Sequence, residues 1–338
     1  MEKFEEKIEA LAAFLSGGPK RCVVVAHTNP DGDAIGSSLA WAAALRSQGH
    51  EAECMVPNRY PYFLNWMPGI GNVIINKEEP DRCAEIISKA DIVFCLDFNR
   101  VDRLESLSDA IEANTTARKV LIDHHLDPPE DYYDIMFSDT SSCSTAYLVY
   151  NIIDRFAGLG AIDKAAAENI YVGIMTDTGN FSFSYLTPEL FRSVAVLVEK
   201  GIDIPAINSA VYNSYSEGRV RLLGYVLMRK MKLLHHGEAA YISLKESELR
   251  RFYFQIGDSE GFVNYPLTIE GVKMTAMFLQ TRKFIRISLR SRGDVDGSDV
   301  ASRYVGGGGH QNAAGGKSFD TIEQTIERYN AAVDDFLP

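Results

Sequence analysis

The sequence predicts an α/β fold: a parallel-sheet N-terminal domain, then a smaller α/β domain with a mixed sheet, and a cleft between them. Three observations predict it. Short β-branched apolar runs alternate with helical stretches through about residue 125. A helix-rich segment follows. Beyond about residue 230 the pattern changes to paired apolar runs separated by turn residues, which read as hairpins.

Each element has a local reason. Residues 4–15 carry an amphipathic helical pattern that stops at Ser16-Gly17-Gly18. RCVVVAH (21–27) reads as a buried strand, 33–47 as a helix with Gly49 just past its end, and EAECMV (51–56) as the next strand. A helix near 80–89 precedes the strand DIVFCLD (91–97), and KVLID (119–123) is another strand. Strands alternating with helices imply a mostly parallel sheet covered on both faces. Residues 142–157, 163–176 and 187–200 read as helices, with Ser141, Ser142 and Ser144 as caps at a helix start. Residues 204–230 read as further helix, able to bridge two lobes. MKLLHHGEAAYISL turns at His236-Gly237, residues 272–280 and 284–291 form a second pair, and 320–336 is a final helix. The boundary falls between about 205 and 225, giving domains of 1–212 and 213–338.

Composition narrows the function. Of 338 residues, 46% are hydrophobic and 24% charged, as in ordinary soluble globular proteins. The 34 Lys and Arg against 46 Asp and Glu leave a net charge of −12, which excludes coating long duplex DNA by charge alone. A short nucleotide in a locally basic pocket stays open. There is no run of about 18 apolar residues, so no membrane span is expected. The charged N-terminus MEKFEEKIEALAAFL is unlike a signal peptide. The five cysteines form no CxxC, and several sit in apolar runs. They read as buried reduced thiols of a cytoplasmic protein.

Four polar clusters carry the chemistry. AHTNPDGDAIGS (26–37) offers His27 at a strand end, with Asp31 and Asp33 in the following loop. Asp97 ends DIVFCLD, Asp123-His124-His125 ends KVLID, and Asp177 lies in GIMTDTGNF (173–181). Ligands of open α/β sheets bind beyond the carboxyl ends of the strands, so three of these clusters are expected to meet in one crevice. Five Asp and three His form a ligand set for Mn²⁺ or Mg²⁺, with Zn²⁺ or Co²⁺ as alternatives. Carboxylates one residue apart tend to diverge, so Asp31 and Asp33 can serve different ions. Two such ions can clamp a phosphoryl oxygen and turn a bridging water into hydroxide. Taken singly, Asp33 could instead N-cap a helix, and any one His could be a satisfied core residue.

The second domain holds RYVGGGGHQNAAGG (303–316). Consecutive N–H groups of Gly307, Gly308 and Gly309 in a turn can form an anion-binding nest, with His310 as a further donor. Arg290, in ISLRS, suits bidentate phosphate contact, and Arg103, six residues after Asp97, is a second basic candidate. GGKS (315–318) is not a Walker A loop, because Gln311 stands where its first Gly belongs. His235-His236 read as turn residues.

HTNPDGDAIGS, LDFN, DHH, GIMTDTGNF and GGGGHQNAAGG, in that order, resemble the DHH phosphoesterase superfamily with its DHH-associated C-terminal domain, across about 20–318. The resemblance implies one metal held by His27, Asp31 and Asp97 and a second by Asp33, Asp97, His124 and Asp177, bridged by Asp97. It implies that His125 faces the substrate phosphate, supported by Asp123. Arg290, Gly308, Gly309 and His310 would hold the substrate's far end. LDFN departs from the more usual LDTSD-like form, which leaves Asn99 without an inherited role. The two-domain length resembles the nano-RNase group. That implies two divalent ions, Mn²⁺ first with Mg²⁺ or Co²⁺ as alternatives. It implies short single-stranded RNA oligonucleotides and 3′-phosphoadenosine 5′-phosphate (pAp) as substrates, and a homodimer. The alternatives within the superfamily are a phosphodiesterase of linear or cyclic dinucleotides, or a pyrophosphatase or exopolyphosphatase. From another class, a non-catalytic nucleotide-binding module would not need the intact ligand set.

Overall fold

The computed structural model describes residues 2–182 and 185–337. The chain divides into two compact units, Met1–Ser214 and Tyr215–Pro338. In the first, α1 (Glu2–Leu15) leads into β1 (Arg21–Ala26), α2 (Gly32–Ser47), β2 (Glu51–Val56) and the two-residue β3 (Ile74–Ile75). Then come α3 (Pro80–Ser88), β4 (Ile92–Leu96), α4 (Leu107–Ala113), β5 (Arg118–Asp123) and β6 (Ile135–Ser138). Four helices finish the unit: α5 (Thr145–Phe156), α6 (Lys164–Asp177), α7 (Pro188–Glu199) and α8 (Ile204–Tyr212).

The six strands form one parallel sheet in the order β3-β2-β1-β4-β5-β6. The strands read as continuous apolar runs because both faces are buried. Alternate residues serve opposite cores. Val24, Phe94 and Ile122 pack on one side with α2, α5 and α6, while Val23, Val93 and Leu121 pack on the other with α3 and α4. Strand order reverses between β1 and β4, the switch point that opens a crevice at the strands' carboxyl ends. Helix α2 starts there and is buried from Gly32 through Leu45 except at Ala43. Such all-round burial needs close approach. A Cβ on Gly36 would lie 2.4 Å from the Asn169 carbonyl oxygen of α6, and one on Gly173 2.4 Å from Ala146 Cβ of α5.

The second unit runs α9 (Glu217–Tyr225), β7 (Met231–Leu234), β8 (Ala239–Leu244), α10 (Glu246–Arg251), β9 (Met274–Gln280) and β10 (Ile285–Ser291). It ends with α11 (Gly297–Tyr304), β11 (Gly308–His310), β12 (Ala313–Ser318) and α12 (Ile322–Phe336). Its sheet is mixed, ordered β11-β12-β10-β9-β8-β7, with only β8 and β9 parallel. Ala276, Phe278, Ile287 and Leu289 pack on Tyr329 and Val333 of α12.

Three expectations need correction. Residues 204–230 are not one helix: α8 ends at Tyr212, and α9 starts afresh where Ser216 accepts from the Arg219 N–H, followed by a π turn over Val226–Lys230. The chain leaves helical geometry at Asn213, whose φ is −125°, and Ser216 then caps a separate helix. The Gly run is not a nest-forming turn throughout, because Gly308–His310 is a strand paired with β12. Glycine is required just before the strand and within it: a Cβ on Gly307 would fall 1.9 Å from the Gly315 carbonyl oxygen, and one on Gly309 2.6 Å from that of Ala313. Of the serines read as caps, only Ser144 caps α5, accepting from Tyr147 N–H; the Ser141 hydroxyl donates to Asp139 and that of Ser142 to the Ser144 carbonyl. The short β3, β6, α4, α10 and α11 carry too few residues for a periodic signal.

All five cysteines are buried free thiols. Burial pushes Cys22, Cys54, Cys95 and Cys143 up to about 12, and Cys83 up to about 11. His235 and His236 take left-handed φ values of 48° and 55° in the turn between β7 and β8. Among the described residues, no helix is long and apolar enough to cross a membrane.

Candidate metal centre

Every acidic and histidine candidate of the first unit lies at the carboxyl end of its sheet. His27 follows β1, Asp97 follows β4, Asp123 closes β5 with His124 and His125 behind it, and Asp177 ends α6. Asp31 is the N-cap of α2, accepting from the N–H groups of Asp33 and Ala34 at 3.0 and 3.1 Å. Asp33 is therefore not that cap. It sits second in the helix, within the first turn and 1% exposed, and its carboxylate leaves its own helix to accept from α5.

Asp97 is the centre of the arrangement. Its φ of 64° is unusual for a residue other than glycine and turns the chain sharply out of β4, while its N–H still donates to the Ile122 carbonyl at 3.1 Å. Its Oδ2 lies 3.4 Å from His27 Nε2, and its Oδ1 lies 3.6 Å from His124 Nε2. One carboxylate thus faces two ligand groups. In the first, His27, Asp31 and Asp97 bring ligand atoms within 4.8 Å of one another; in the second, Asp33, His124 and Asp177 do the same. His124 Nε2 is 3.5 Å from Asp177 Oδ2 and 4.0 Å from Asp33 Oδ2.

Backbone carbonyls set the ring tautomers. His27 Nδ1 lies 2.8 Å from the Thr28 carbonyl oxygen, and His124 Nδ1 lies 3.2 Å from that of Ser142. A carbonyl only accepts, so Nδ1 carries the hydrogen and Nε2 of the neutral ring is the ligand atom. His125 Nδ1 is held 2.6 Å from Asp123 Oδ1.

The electrostatics follow from crowding five carboxylates where water is scarce. Burial, reinforced by Asp97 and Asp177, pushes Asp33 well above its ordinary range. Burial alone would lower the His27 ring, but the hydrogen bond and charge of Asp97, with Asp31, hold it raised. His124 is raised against burial by Asp97, Asp33 and Asp123. The three imidazoles in turn hold Asp97 below the usual range despite its burial. Protons thus balance the cluster when cations do not. Asp123 Oδ2 is buried with no hydrogen-bond partner. Oxygen and imidazole donors, closely grouped buried carboxylates and an orphaned carboxylate oxygen all fit hard divalent cations.

Sequence reasoning missed the residues that orient these groups, because they carry no motif. Thr145, fully buried at the start of α5, donates its hydroxyl to Asp97 Oδ1 at 3.0 Å and its N–H to Asp33 Oδ2 at 2.7 Å; Ala146 N–H donates to Asp33 Oδ1 at 2.8 Å. Asn58, in the loop after β2, accepts from the Thr28 hydroxyl and the Asn29 N–H at 2.7 Å each, pinning the His27 loop. Arg103 is half-buried, and its carbonyl accepts from Thr28 N–H at 2.9 Å.

In the second unit, Arg290 of β10 and His310 of β11 both pair with Ala313 of β12. The register puts them in one row on one face of the sheet, two strand spacings (about 9–10 Å) apart. Gly307 precedes β11, and Gly308 and Gly309 begin it.

Comparisons with known proteins show the family. The family model described as "DHH family, N-terminal domain" matches residues 21–174, and the DHHA1 domain model matches 238–337. A bifunctional oligoribonuclease and PAP phosphatase NrnA from Thermus thermophilus is 30% identical, over 99% of this chain and 96% of its own length. The protein of the same name from Bacillus subtilis is 27% identical over 88% and 89%. A crystal structure of an exopolyphosphatase-related protein from Bacteroides fragilis is 39% identical, with a TM-score of 0.90 over 98% of this chain and 96% of that one.

Proposed function

The chain belongs to the DHH family of phosphoesterases, and from that premise we propose that it hydrolyses short RNA oligonucleotides and pAp at a dinuclear metal centre. The observation that carries the reading is Asp97, whose two oxygens face separate His-and-Asp groups. His27, Asp31 and Asp97 would hold one cation, and Asp33, Asp97, His124 and Asp177 the other. Mn²⁺ suits this donor set, with Mg²⁺ or Co²⁺ as substitutes. A pair of divalent cations supplies Lewis-acid polarisation of a phosphoryl oxygen and a nucleophile at neutral pH.

The chain's own residues supply the rest. The Thr28 and Ser142 carbonyls keep the Nε2 lone pairs of His27 and His124 turned toward the carboxylates. Asp123 fixes the His125 ring through Nδ1, so Nε2 is the ring atom that meets a substrate phosphate oxygen and moves a proton there. Arg290, His310 and the Gly307–Gly309 backbone are our candidates for the groups that hold the remainder of the nucleotide, with Arg103 near the His27 loop. Buried reduced thiols support a cytoplasmic setting.

The test is a product time course with Mn²⁺ and an end-labelled RNA pentamer. Stepwise release of mononucleotides is expected, and the labelled product gives the polarity. A relative described as exopolyphosphatase-related keeps inorganic polyphosphate as the second substrate class. An intact pentamer beside cleaved polyphosphate would move the reading there.

A further inference from the structure

We propose that Thr145 is a positioning residue that sets the orientation of both carboxylates shared out between the two metal positions. This rests on the dinuclear reading above. Thr145 is the first residue of α5 and fully buried. Its hydroxyl donates to Asp97 Oδ1, while Asp97 Oδ2 faces His27. That one donor fixes which oxygen of the bridging carboxylate serves which side. Through the same residue, the backbone N–H of Thr145 and that of Ala146 bond both oxygens of Asp33. The free N–H groups of a helix's first turn seek an acceptor, and a carboxylate satisfies them while being held in a fixed plane. Asp33 comes from helix α2 and Asp97 from just after strand β4, so α5 is the common ruler that sets their spacing.

The hydroxyl can be removed without touching the backbone contacts. Thr145→Val keeps the volume and the N–H donor to Asp33 but frees Asp97 to rotate about its side chain. Outer partners of metal ligands are worth about 10–100-fold in metal affinity. The second Mn²⁺ should therefore bind about 10–100-fold more weakly, and the first should change less.

The experiment is calorimetric titration of the full chain with Mn²⁺ alone. Electron paramagnetic resonance follows the exchange-coupled signal of a metal pair. Wild type and Thr145→Ser should both take up two ions and show the coupled signal, while Thr145→Val should show it only at much higher Mn²⁺. Thr145→Ala, which adds no bulk, serves beside it as a second variant without the hydroxyl, each with its fold checked by circular dichroism. Unchanged affinities in Thr145→Val or Thr145→Ala would overturn the proposal. So would Thr145→Ser binding as weakly as Thr145→Val, since that would make the methyl group the cause. A lower melting temperature with intact Mn²⁺ affinity would reduce Thr145 to a packing role. If wild type fails to bind two ions, the dinuclear reading itself falls, and this inference with it.

Discussion

Gly173→Ala adds one methyl group at the point where helix packing and the metal centre meet. The new Cβ would lie 2.4 Å from Ala146 Cβ and 2.8 Å from Asp33 Oδ1. Carbon atoms settle at about 3.5–4.0 Å, so α5 and α6 must separate by about 1 Å or more. The obstructing carbon is a stiff Cβ rather than the far end of a flexible chain. Alanine normally gains about 0.5–1 kcal/mol over glycine within a helix, whereas overpacking costs about 1–3 kcal/mol. The packing cost wins, and a net loss of about 1–2 kcal/mol is expected. For a unit of this size that lowers the melting temperature by roughly 2–8 °C. Because Asp33 is one of the displaced groups, Mn²⁺ should also raise the melting temperature by less than in wild type. Calorimetric melting with and without Mn²⁺ reads both effects. Gly224→Ala is the control, since its Cβ meets nothing within 4 Å and it lies in α9. That variant should melt at or slightly above wild type. A Gly173→Ala protein as stable and as Mn²⁺-responsive as wild type would refute the packing argument.

The remaining predictions concern protons, ligands and substrate. Asp33, His27 and His124 all have raised values, so the folded, metal-free protein binds their protons more tightly than the unfolded chain does. The stability they contribute is complete below the ordinary values of 3.8 for Asp and 6.5 for His, and it is lost as pH rises through the raised ones. The metal-free melting temperature should therefore fall as pH climbs above about 6.5, while Mn²⁺ affinity rises and binding releases protons, measurable by calorimetry in buffers of different ionisation enthalpy. A flat melting profile with no proton release would contradict this. Asp97→Asn should lower hydrolysis by more than the roughly 100-fold that an outer partner is worth, and should also weaken uptake of both ions. His125→Ala should keep two Mn²⁺ while kcat falls about 10²–10⁴-fold; loss of an ion would make His125 a ligand instead. Arg290→Ala should raise KM about 10–150-fold, the equivalent of one charge-assisted hydrogen bond at about 1.5–3 kcal/mol, with kcat little changed. A kcat effect without a KM effect would remove it from substrate binding.

The parts of the fold legible in the sequence are those with a strong local signal. RCVVVA, IVFCL and KVLID stand out because a parallel strand buried on both faces must be apolar throughout. The short strands at Ile74–Ile75 and Ile135–Ser138 lack the length to show any period. The acidic and histidine clusters were visible for a related reason: charged residues placed directly behind apolar strands stand out in the chain. The reversal of strand order between β1 and β4 brings them together, and no single segment encodes that. Asp31 and Asp33 diverge as their spacing suggested, one toward His27 and the other toward His124. The cap, however, is Asp31, because its side chain reaches the first free N–H groups of α2 while Asp33 reaches those of α5. Thr145 and Asn58 act through pairs of hydrogen bonds across long sequence separations, and no spacing rule marks such residues. The Gly run reads as a turn able to form an anion-binding nest, yet part of it is a strand. At Gly307 the facing chain at Gly315 and Gly316 comes too close for any side chain, and that contact lies outside the run itself.

The central claim is that one carboxylate, Asp97, joins two metal positions. The most direct measurement is an anomalous difference map at the manganese absorption edge, from crystals grown with Mn²⁺. The account predicts two peaks on either side of Asp97, about 3.5–4 Å apart as in two-metal hydrolases, one beside His27 and Asp31 and the other beside Asp33, His124 and Asp177. A single peak that Asp97 does not touch, or no peak within this cluster at saturating Mn²⁺, would contradict it.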